Sequence, residues 1–469
     1  MDAASTLTHT GQAFGSRGYR NFVLISLTLV YTLNFIDRIL IGVVAQPIIE
    51  EFRLQDWQFG LLSGFGFALM YTLMGIPIAR WAERYNRVRI IAGSVILWSA
   101  MTALCGVAGS FLALLAFRIG VGIGEAGCTP PANSLIADYF PVQNRARALA
   151  TYAMGITLGS VLANAFGGPI AQMFSWREAF LVLGIPGILV GLVVLFSVKE
   201  PPRGYSDPPG TTQPEKLGLR ESLAELGAKT TFWMNIAGST AVAFVGYGVA
   251  NFSAPFFQRT HDMNVAEVAT QISVPLGLAA SLGAFAAGYL TDRISHRHPN
   301  AVALIPGWSL VLSVPFYWIG FSVESIPLAL ASLLVGNLLH YSYLGAQYTI
   351  CQGVASTRSR ATAVAIMLFV ANLIGYGMGP LFVGFLSDAL MVGHLAETAG
   401  QAIQAAACDG SAADLMASLG GDQAALCLEA KAVGLQQAIL AVVSLYALGG
   451  LLYLLCCKTL QRDLVARAH

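Results

Sequence analysis

The chain has 469 residues, 56% hydrophobic and 11% charged, with a mean hydropathy of +0.65. A soluble domain carries roughly 25% charged residues, so the composition excludes one and indicates a multi-span membrane protein. The formal net charge of +1 provides no bulk field to attract nucleic acid, and no Gly-Lys-Ser/Thr phosphate loop is present to drive an ATP engine.

The first twenty residues are polar and lack an apolar core followed by a cleavage site, so no signal peptide is expected. A crossing helix needs about 20 apolar residues. Twelve such runs follow: 21–46, 57–79, 89–109, 111–137, 146–172, 177–198, 231–256, 267–290, 301–321, 327–352, 361–389 and 433–456. This reading makes 1–20 a cytoplasmic segment, 21–198 a six-helix bundle and 199–230 a cytoplasmic linker. A second bundle occupies 231–457, with a long extracytoplasmic loop at 391–432, and 458–469 is a cytoplasmic tail.

The first run contains Asp37 and Arg38 side by side. Charges in lipid are costly unless they face a partner or a wet cavity, which makes them functional candidates by default. The second run ends in Ala79-Arg80-Trp81-Ala82-Glu83-Arg84-Tyr85-Asn86-Arg87. The fourth adds Arg118 and Glu125, and with Gly122 these are spaced i, i+4, i+7 on one helix face. At 1.5 Å per residue, Asp37 and Arg38 lie roughly 12–14 Å from the outer edge, Arg118 roughly 9 Å and Glu125 roughly 20 Å. Asp37 is then within reach of Arg118, and Arg38 of Glu125, with Gly122 leaving room for a partner. Neighbours on a helix point about 100° apart, so both pairs need not form together. One reading is a proton switch, in which a carboxylate parted from its arginine takes up a proton. The other is a static ion-pair brace.

Gly155, Gly159, Ala163 and Gly167 recur every four residues on the fifth run, a spacing that permits close helix contact. Trp176-Arg177-Glu178 opens the sixth as an interface anchor. The linker holds Pro201, Pro202, Pro208, Pro209 and Pro214, followed by Leu219, Leu223 and Leu226 at helical spacing. This predicts an extended stretch and then a short helix on the inner membrane surface. The seventh run carries Tyr247, Asn251, Phe252 and Phe256, a stripe that suits an amphiphile or ordinary packing. The tenth is unusually polar, with Asn337, His340, Tyr341 and Gln347, and is read as cavity-lining. The eleventh repeats the small-residue spacing at Gly375 and Gly379. Cys408 and Cys427 share the long loop and can pair if it faces an oxidising compartment. Cys105, Cys128, Cys351, Cys456 and Cys457 read as small core residues.

With the N-terminus placed inside, twenty of the 26 Lys and Arg, from Arg17 through Lys216 to Arg467, fall on the inner side. The outer side has only Arg53, Arg177, Arg259 and Lys431, which orients both termini to the cytoplasm. The halves also repeat. Glu83-Arg84 with Arg87 answers to Asp292-Arg293 with Arg297, Arg147 to Arg360, and Gly168-Pro169 to Gly379-Pro380, at offsets of 209, 213 and 211. Two duplicated six-helix halves with a site between them make a transporter fold.

Gly288-Tyr289-Leu290-Thr291-Asp292-Arg293-Ile294-Ser295-His296-Arg297 resembles the cytoplasmic loop signature of the major facilitator superfamily. The first-half copy departs from it with Ala79 and Asn86 in place of glycines and Glu83 in place of aspartate. Arg118-Ile119-Gly120-Val121-Gly122-Ile123-Gly124 is similar to the fourth-helix motif of that family. Asn34-Phe35-Ile36-Asp37-Arg38, Gly122-Ile123-Gly124-Glu125-Ala126, Ala137-Asp138-Tyr139-Phe140-Pro141 and Glu200-Pro201-Pro202-Arg203-Gly204 resemble the spinster branch. The resemblance implies an all-α fold of two pseudo-symmetric bundles and export of lysolipids or sphingosine phosphate with proton coupling. It also implies a latch at Glu83, Arg84, Arg87, Asp292, Arg293 and Arg297.

The expectation is a proton-coupled transporter working by alternating access on an amphiphilic, lipid-like substrate. Asp37 and Glu125 carry the proton, and Arg38 and Arg118 are charge partners or substrate ligands. Tyr247, Asn251, Asn337, His340 and Tyr341 line the cavity. A small organic anion on Arg38 or Arg118 is the alternative substrate, and a lipid-sensing receptor without turnover is a third reading. No enzyme activity, metal or cofactor is expected. The expected partners are protons, a small amphiphilic or anionic substrate and the lipid bilayer of the cell membrane, without nucleic acid, and the chain is read as a monomer.

Overall fold

The computed structural model describes residues 12–208, 218–398 and 405–464. Pro209, Pro214, Lys216 and Arg467 lie outside the described residues. All regular structure among the described residues is helical, and twelve helices are long and apolar enough to cross a membrane. They are span 1 (Arg17–Val43), span 2 (Asp56–Arg84), span 3 (Arg87–Cys105), span 4 (Phe111–Tyr139), span 5 (Val142–Met173) and span 6 (Trp176–Ser197). Span 7 (Thr230–His261), span 8 (Val265–Ser295), span 9 (Ala301–Ser322), span 10 (Ile326–Val354), span 11 (Arg360–Thr398) and span 12 (Gly421–Asp463) follow.

Side-chain caps start several of them. Asn86, Ser110 and Ser175 accept from the main-chain N–H of Arg89, Ala113 and Arg177, each satisfying a donor that the first helical turn leaves orphaned. The linker helix Leu219–Gly227 is present. Its Glu225 accepts from Ser356 through the main-chain N–H and the hydroxyl, both at 2.9 Å.

The duplication is written into the backbone. A short helix, Ala45–Phe52, continues span 1 and ends at Arg53, which has φ +50°. Span 7 ends at Asp262 with φ +52°, 209 residues later. Both are left-handed helix stops. Capping pairs, Gln55 with Gln58 and Asn264 with Glu267, then open spans 2 and 8. Both of these spans contain π-helical turns near their starts, at Leu61–Phe65 and Val268–Ser273. Span 4 breaks after Glu125 and resumes at Thr129, and span 10 breaks after His340 and resumes at Tyr343.

Two helix ends extend furthest past the expected ones. Span 11 runs to Thr398 and span 12 begins at Gly421, which leaves a shorter connection carrying the helix Ala412–Leu419. Hydropathy measures the length of chain that suits lipid, whereas Leu and Ala are also strong helix formers. Here Met391, Leu395, Leu415, Ala424 and Ala430 bury one another around Cys408 and Cys427, whose sulfurs are bonded.

By its contacts the chain divides into two compact units, Met1–Val43 with Gly66–Gln213, and Val44–Phe65 with Pro214–His469. The short helix and the start of span 2 thus belong with spans 7 to 12. In the first unit span 5 lies against span 1, where a Cβ on Gly159 would come 2.5 Å from the Thr32 carbonyl oxygen. In the second, span 11 lies against span 7, where a Cβ on Gly379 would come 2.3 Å from the Phe244 carbonyl oxygen. Only glycine allows either approach.

Candidate functional site

In the first unit spans 1 and 4 bring four charged side chains together, Asp37, Arg118 and Glu125 buried and Arg38 partly so. Arg38 donates from Nε to Glu125 Oε2 at 2.6 Å, with the carboxylate fully enclosed. Span 1 supplies Arg38 and the last turn of span 4's first segment supplies Glu125. The guanidinium of Arg38 also faces Tyr71 at 4.5 Å and Phe67 at 5.3 Å from the ring centres. Arg118 is 0% exposed and lies 5.3 Å from the same Phe67 ring.

Arg118 does not make the carboxylate pair that its depth allows. Its Nη1 donates to the main-chain oxygen of Asp37 at 3.3 Å, while its Nε and Nη2 have no hydrogen-bond partner among the described residues. Glu125 Oε1 is in the same condition. Asp37 is buried beside them at 2% exposure. Gly122 serves span 2, because a Cβ there would meet the Phe67 carbonyl oxygen at 2.6 Å. The helix spacing that put Arg118, Gly122 and Glu125 on one face could not reveal Phe67 and Tyr71, which read as ordinary apolar residues of span 2.

The polar face of span 10 forms a hydrogen-bond chain. Asn337 donates through Nδ2 to the Leu276 carbonyl at 2.6 Å, which turns its Oδ1 toward the Tyr317 hydroxyl at 3.0 Å. The same hydroxyl lies 2.8 Å from His340 Nδ1. One hydroxyl has one proton to donate. The assignment that satisfies every group has Tyr317 donating to Asn337 and His340 Nδ1–H donating to Tyr317, leaving His340 Nε2 as an acceptor. Tyr341 and Tyr446 pack on the imidazole at 4.2 and 4.8 Å between ring centres. Tyr317 was not legible as part of this group, because it stands in an apolar run of span 9. On span 7, Tyr247 meets Tyr376 edge-on at 4.4 Å. Asn251 is bonded back to its own helix, donating to the Tyr247 carbonyl at 2.9 Å.

The two charged loop motifs differ. Arg87 is buried and saturated. It pairs with Asp138 and with Glu200 (2.6 Å), donates to the Ser134 hydroxyl at 2.8 Å and reaches the Pro201 carbonyl at 3.1 Å. Asp138 also accepts from the Gly204 N–H at 2.8 Å. Glu83 and Arg84 are exposed. In the second half Asp292, Arg293 and Arg297 are all exposed, and Arg293 reaches Tyr289 at 3.4 Å. No ion pair joins Asp292 to Arg293 or Arg297 among the described residues.

A cluster missed in the sequence lies in the second unit, where Arg259 of span 7 grips Asp56 with two bonds of 2.8 and 2.7 Å. Arg259 read as a loop charge and Asp56 stands at a helix start, where a charge carries no signal of burial, while Asp388 closes the expected run 361–389 although its helix continues to Thr398. No group of His, Cys, Asp and Glu that could hold a metal ion occurs among the described residues.

Residues 27–389 match the family model of the Major Facilitator Superfamily. An MFS-type efflux pump of Mycolicibacterium smegmatis (strain ATCC 700084 / mc(2)155) is 33% identical over 80% of this chain and 86% of its own length. Protein spinster of Drosophila melanogaster is 29% identical over 79% of this chain and 62% of its own. A crystal structure of a bacterial homologue of the human lysosomal transporter Spinster, inward-facing and unoccupied, is 44% identical. It aligns with a TM-score of 0.89 over 97% of this chain and 100% of that one. This integral, multi-pass membrane chain belongs to the Major Facilitator Superfamily as a spinster-like transporter.

Proposed function

We propose that this protein is a proton-coupled secondary transporter that works by alternating access and moves an amphiphilic, lipid-like substrate across the cell membrane, with both termini cytoplasmic. The supporting observation is the buried set Asp37, Arg38, Arg118 and Glu125. Two carboxylates and two arginines balance in charge, yet only Arg38 and Glu125 form a side-chain pair. A buried carboxylate stays ionised beside an arginine and takes a proton when it loses one. A conformational change that separates Glu125 from Arg38, or brings Asp37 to Arg118, therefore binds or releases a proton. Tyr247, Asn251, Asn337, His340 and Tyr341 offer the neutral, aromatic side of the path. Glu83, Arg84, Arg87, Asp292, Arg293 and Arg297 form the cytoplasmic latch in this reading.

The test is uptake into proteoliposomes with and without a pH gradient, comparing lysolipids, sphingoid phosphates and small carboxylates. Gradient-driven accumulation of an amphiphile supports the proposal, and accumulation indifferent to the gradient refutes the coupling. The unpaired Nε and Nη2 of Arg118 favour a second reading, transport of a small organic anion. In that case a carboxylate substrate is accumulated, and Arg118→Gln removes its binding.

A further inference from the structure

The proton-switch reading leaves unused the cluster at the far side, the side opposite the chain termini. Asp56, the first residue of span 2, is 5% exposed. Besides its two bonds from Arg259, it accepts from the Ser387 hydroxyl of span 11 at 2.6 Å. Arg259 Nε donates to Gln46 Oε1 on the short helix at 2.9 Å. The next residue of span 11, Asp388, accepts from the main-chain N–H of Asp56 at 3.1 Å and of Trp57 at 2.9 Å. It thus caps the first turn of span 2 from another helix. Glycines bring the backbones together: a Cβ on Gly60 would lie 2.4 Å from the Pro380 carbonyl oxygen, and one on Gly384 would lie 2.3 Å from that of Asp56. Trp57 stacks on Phe385 at 5.3 Å.

We infer that this cluster is the far-side lock of the transport cycle, with Arg259 and Asp388 as the positioning residues that hold span 2 shut and release it when that side opens. The inference rests on the alternating-access reading. Three features suit a contact that is made and broken. A buried ion pair holds its geometry only while both partners meet, because a charge left buried without its partner is costly. π-Helical turns flank the contact at Leu61–Phe65 and Ala371–Met378, where a helix can change its winding. The disulfide-bonded cap brings Asp409 and Lys431 to the rim of a cavity of about 10 Å³, about the space of one water. Burial pushes Asp409 above the usual carboxylate range against the pull of Lys431.

The test is the labelling rate of a buried far-side reporter, Ser63→Cys, by a membrane-impermeant maleimide. Ser63 is 0% exposed, and the five free cysteines are first replaced by alanine. Asp56→Asn with Arg259→Gln removes both charges at once and strands neither, so the pair is expected to fold. We expect labelling to rise about tenfold or more as the far-side-open population grows. Arg259→Lys keeps the charge without the fork and should give an intermediate rise. Cys408→Ser with Cys427→Ser should give a smaller one. Labelling within about twofold of the parent in both the double variant and Arg259→Lys, at parent-like thermal stability, overturns the lock. If the double variant fails to fold, the Arg259→Lys rate alone decides by the same criterion. Labelling needs neither substrate nor a pH gradient. A failed lock therefore leaves gradient-driven uptake intact, and a failed proton switch leaves the labelling result standing.

Discussion

The two six-span halves share a backbone plan and differ in what they bury. Arg53 and Asp262 stop corresponding helices in the same left-handed conformation. Gly159 and Gly379 bring corresponding helix pairs into contact. Spans 4 and 10 break at corresponding places. Yet span 4 buries Arg118 and Glu125, while span 10 buries a neutral chain through Asn337, His340 and Tyr317. The repeat therefore lives in turns, breaks and close approaches. On this corresponding pair the titratable chemistry lies in span 4, and neutral hydrogen-bonding and aromatic surface in span 10. The buried charges of the second unit, Asp56 and Arg259, lie elsewhere, at the ends of spans 2 and 7.

If that division holds, the charged site at span 4 should be more brittle than the neutral one at span 10. Arg38→Ala leaves Glu125 buried without its cation, and the expected loss is about 3–5 kcal/mol in thermal or denaturant unfolding. Glu125→Gln removes the charge itself and should fold, so the pair of variants separates stability from coupling. Outside the halves' shared plan, the Cys408–Cys427 bond closes a loop of 19 residues. Its removal should cost about 2–4 kcal/mol, read as faster hydrogen exchange in Ala412–Leu419 and the start of span 12.

The shared scaffold predicts matched penalties. Gly159→Val and Gly379→Val should each destabilise by about 1–3 kcal/mol. A large difference between them would mean the halves are less alike than their backbones. At the neutral site of span 10, Tyr317→Phe takes one hydroxyl from the His340 chain and should cost about 0.5–1.5 kcal/mol, changing substrate choice without moving the pH profile of uptake. The smallest effect concerns the linker helix. Burial alone would raise Glu225, but the hydrogen bonds from Ser356 and Ser359, with Lys229 nearby, hold it below the usual glutamate range. Its contribution to docking is present above the unfolded value of about 4.3 and is lost as pH falls through the lowered folded value. Hydrogen exchange in Leu219–Gly227 should accelerate only on acidification through that window.

Much of this was legible in the sequence because lipid is a demanding solvent. Long apolar runs reveal the spans, and a charge inside one, such as Asp37 or Glu125, stands out against its cost. The repeat was legible from Arg147 and Arg360 and from the two Gly-Pro pairs. What stayed hidden depends on tertiary approach. Phe67 and Tyr71 are apolar residues in an apolar helix until two arginines are placed against them. Asp56 and Arg259 sit at helix ends, where charge is ordinary, Asp388 read as the close of its run, and only the fold shows that they meet. Arg87 read as a loop charge of the latch, whereas its partners Asp138 and Glu200 come from distant segments and bury it. Helix extensions past the lipid-suited stretch, as in spans 11 and 12, leave no mark in hydropathy.

In the proposed mechanism Asp37 and Glu125 couple transport to protons, and the hydrogen-bond chain through Asn337, His340 and Tyr317 does not. The most direct measurement compares pH-gradient-driven accumulation with substrate counterflow in proteoliposomes for Asp37→Asn with Glu125→Gln. The prediction is that gradient-driven accumulation disappears while counterflow continues. Accumulation that still follows the pH gradient in the double variant would contradict it.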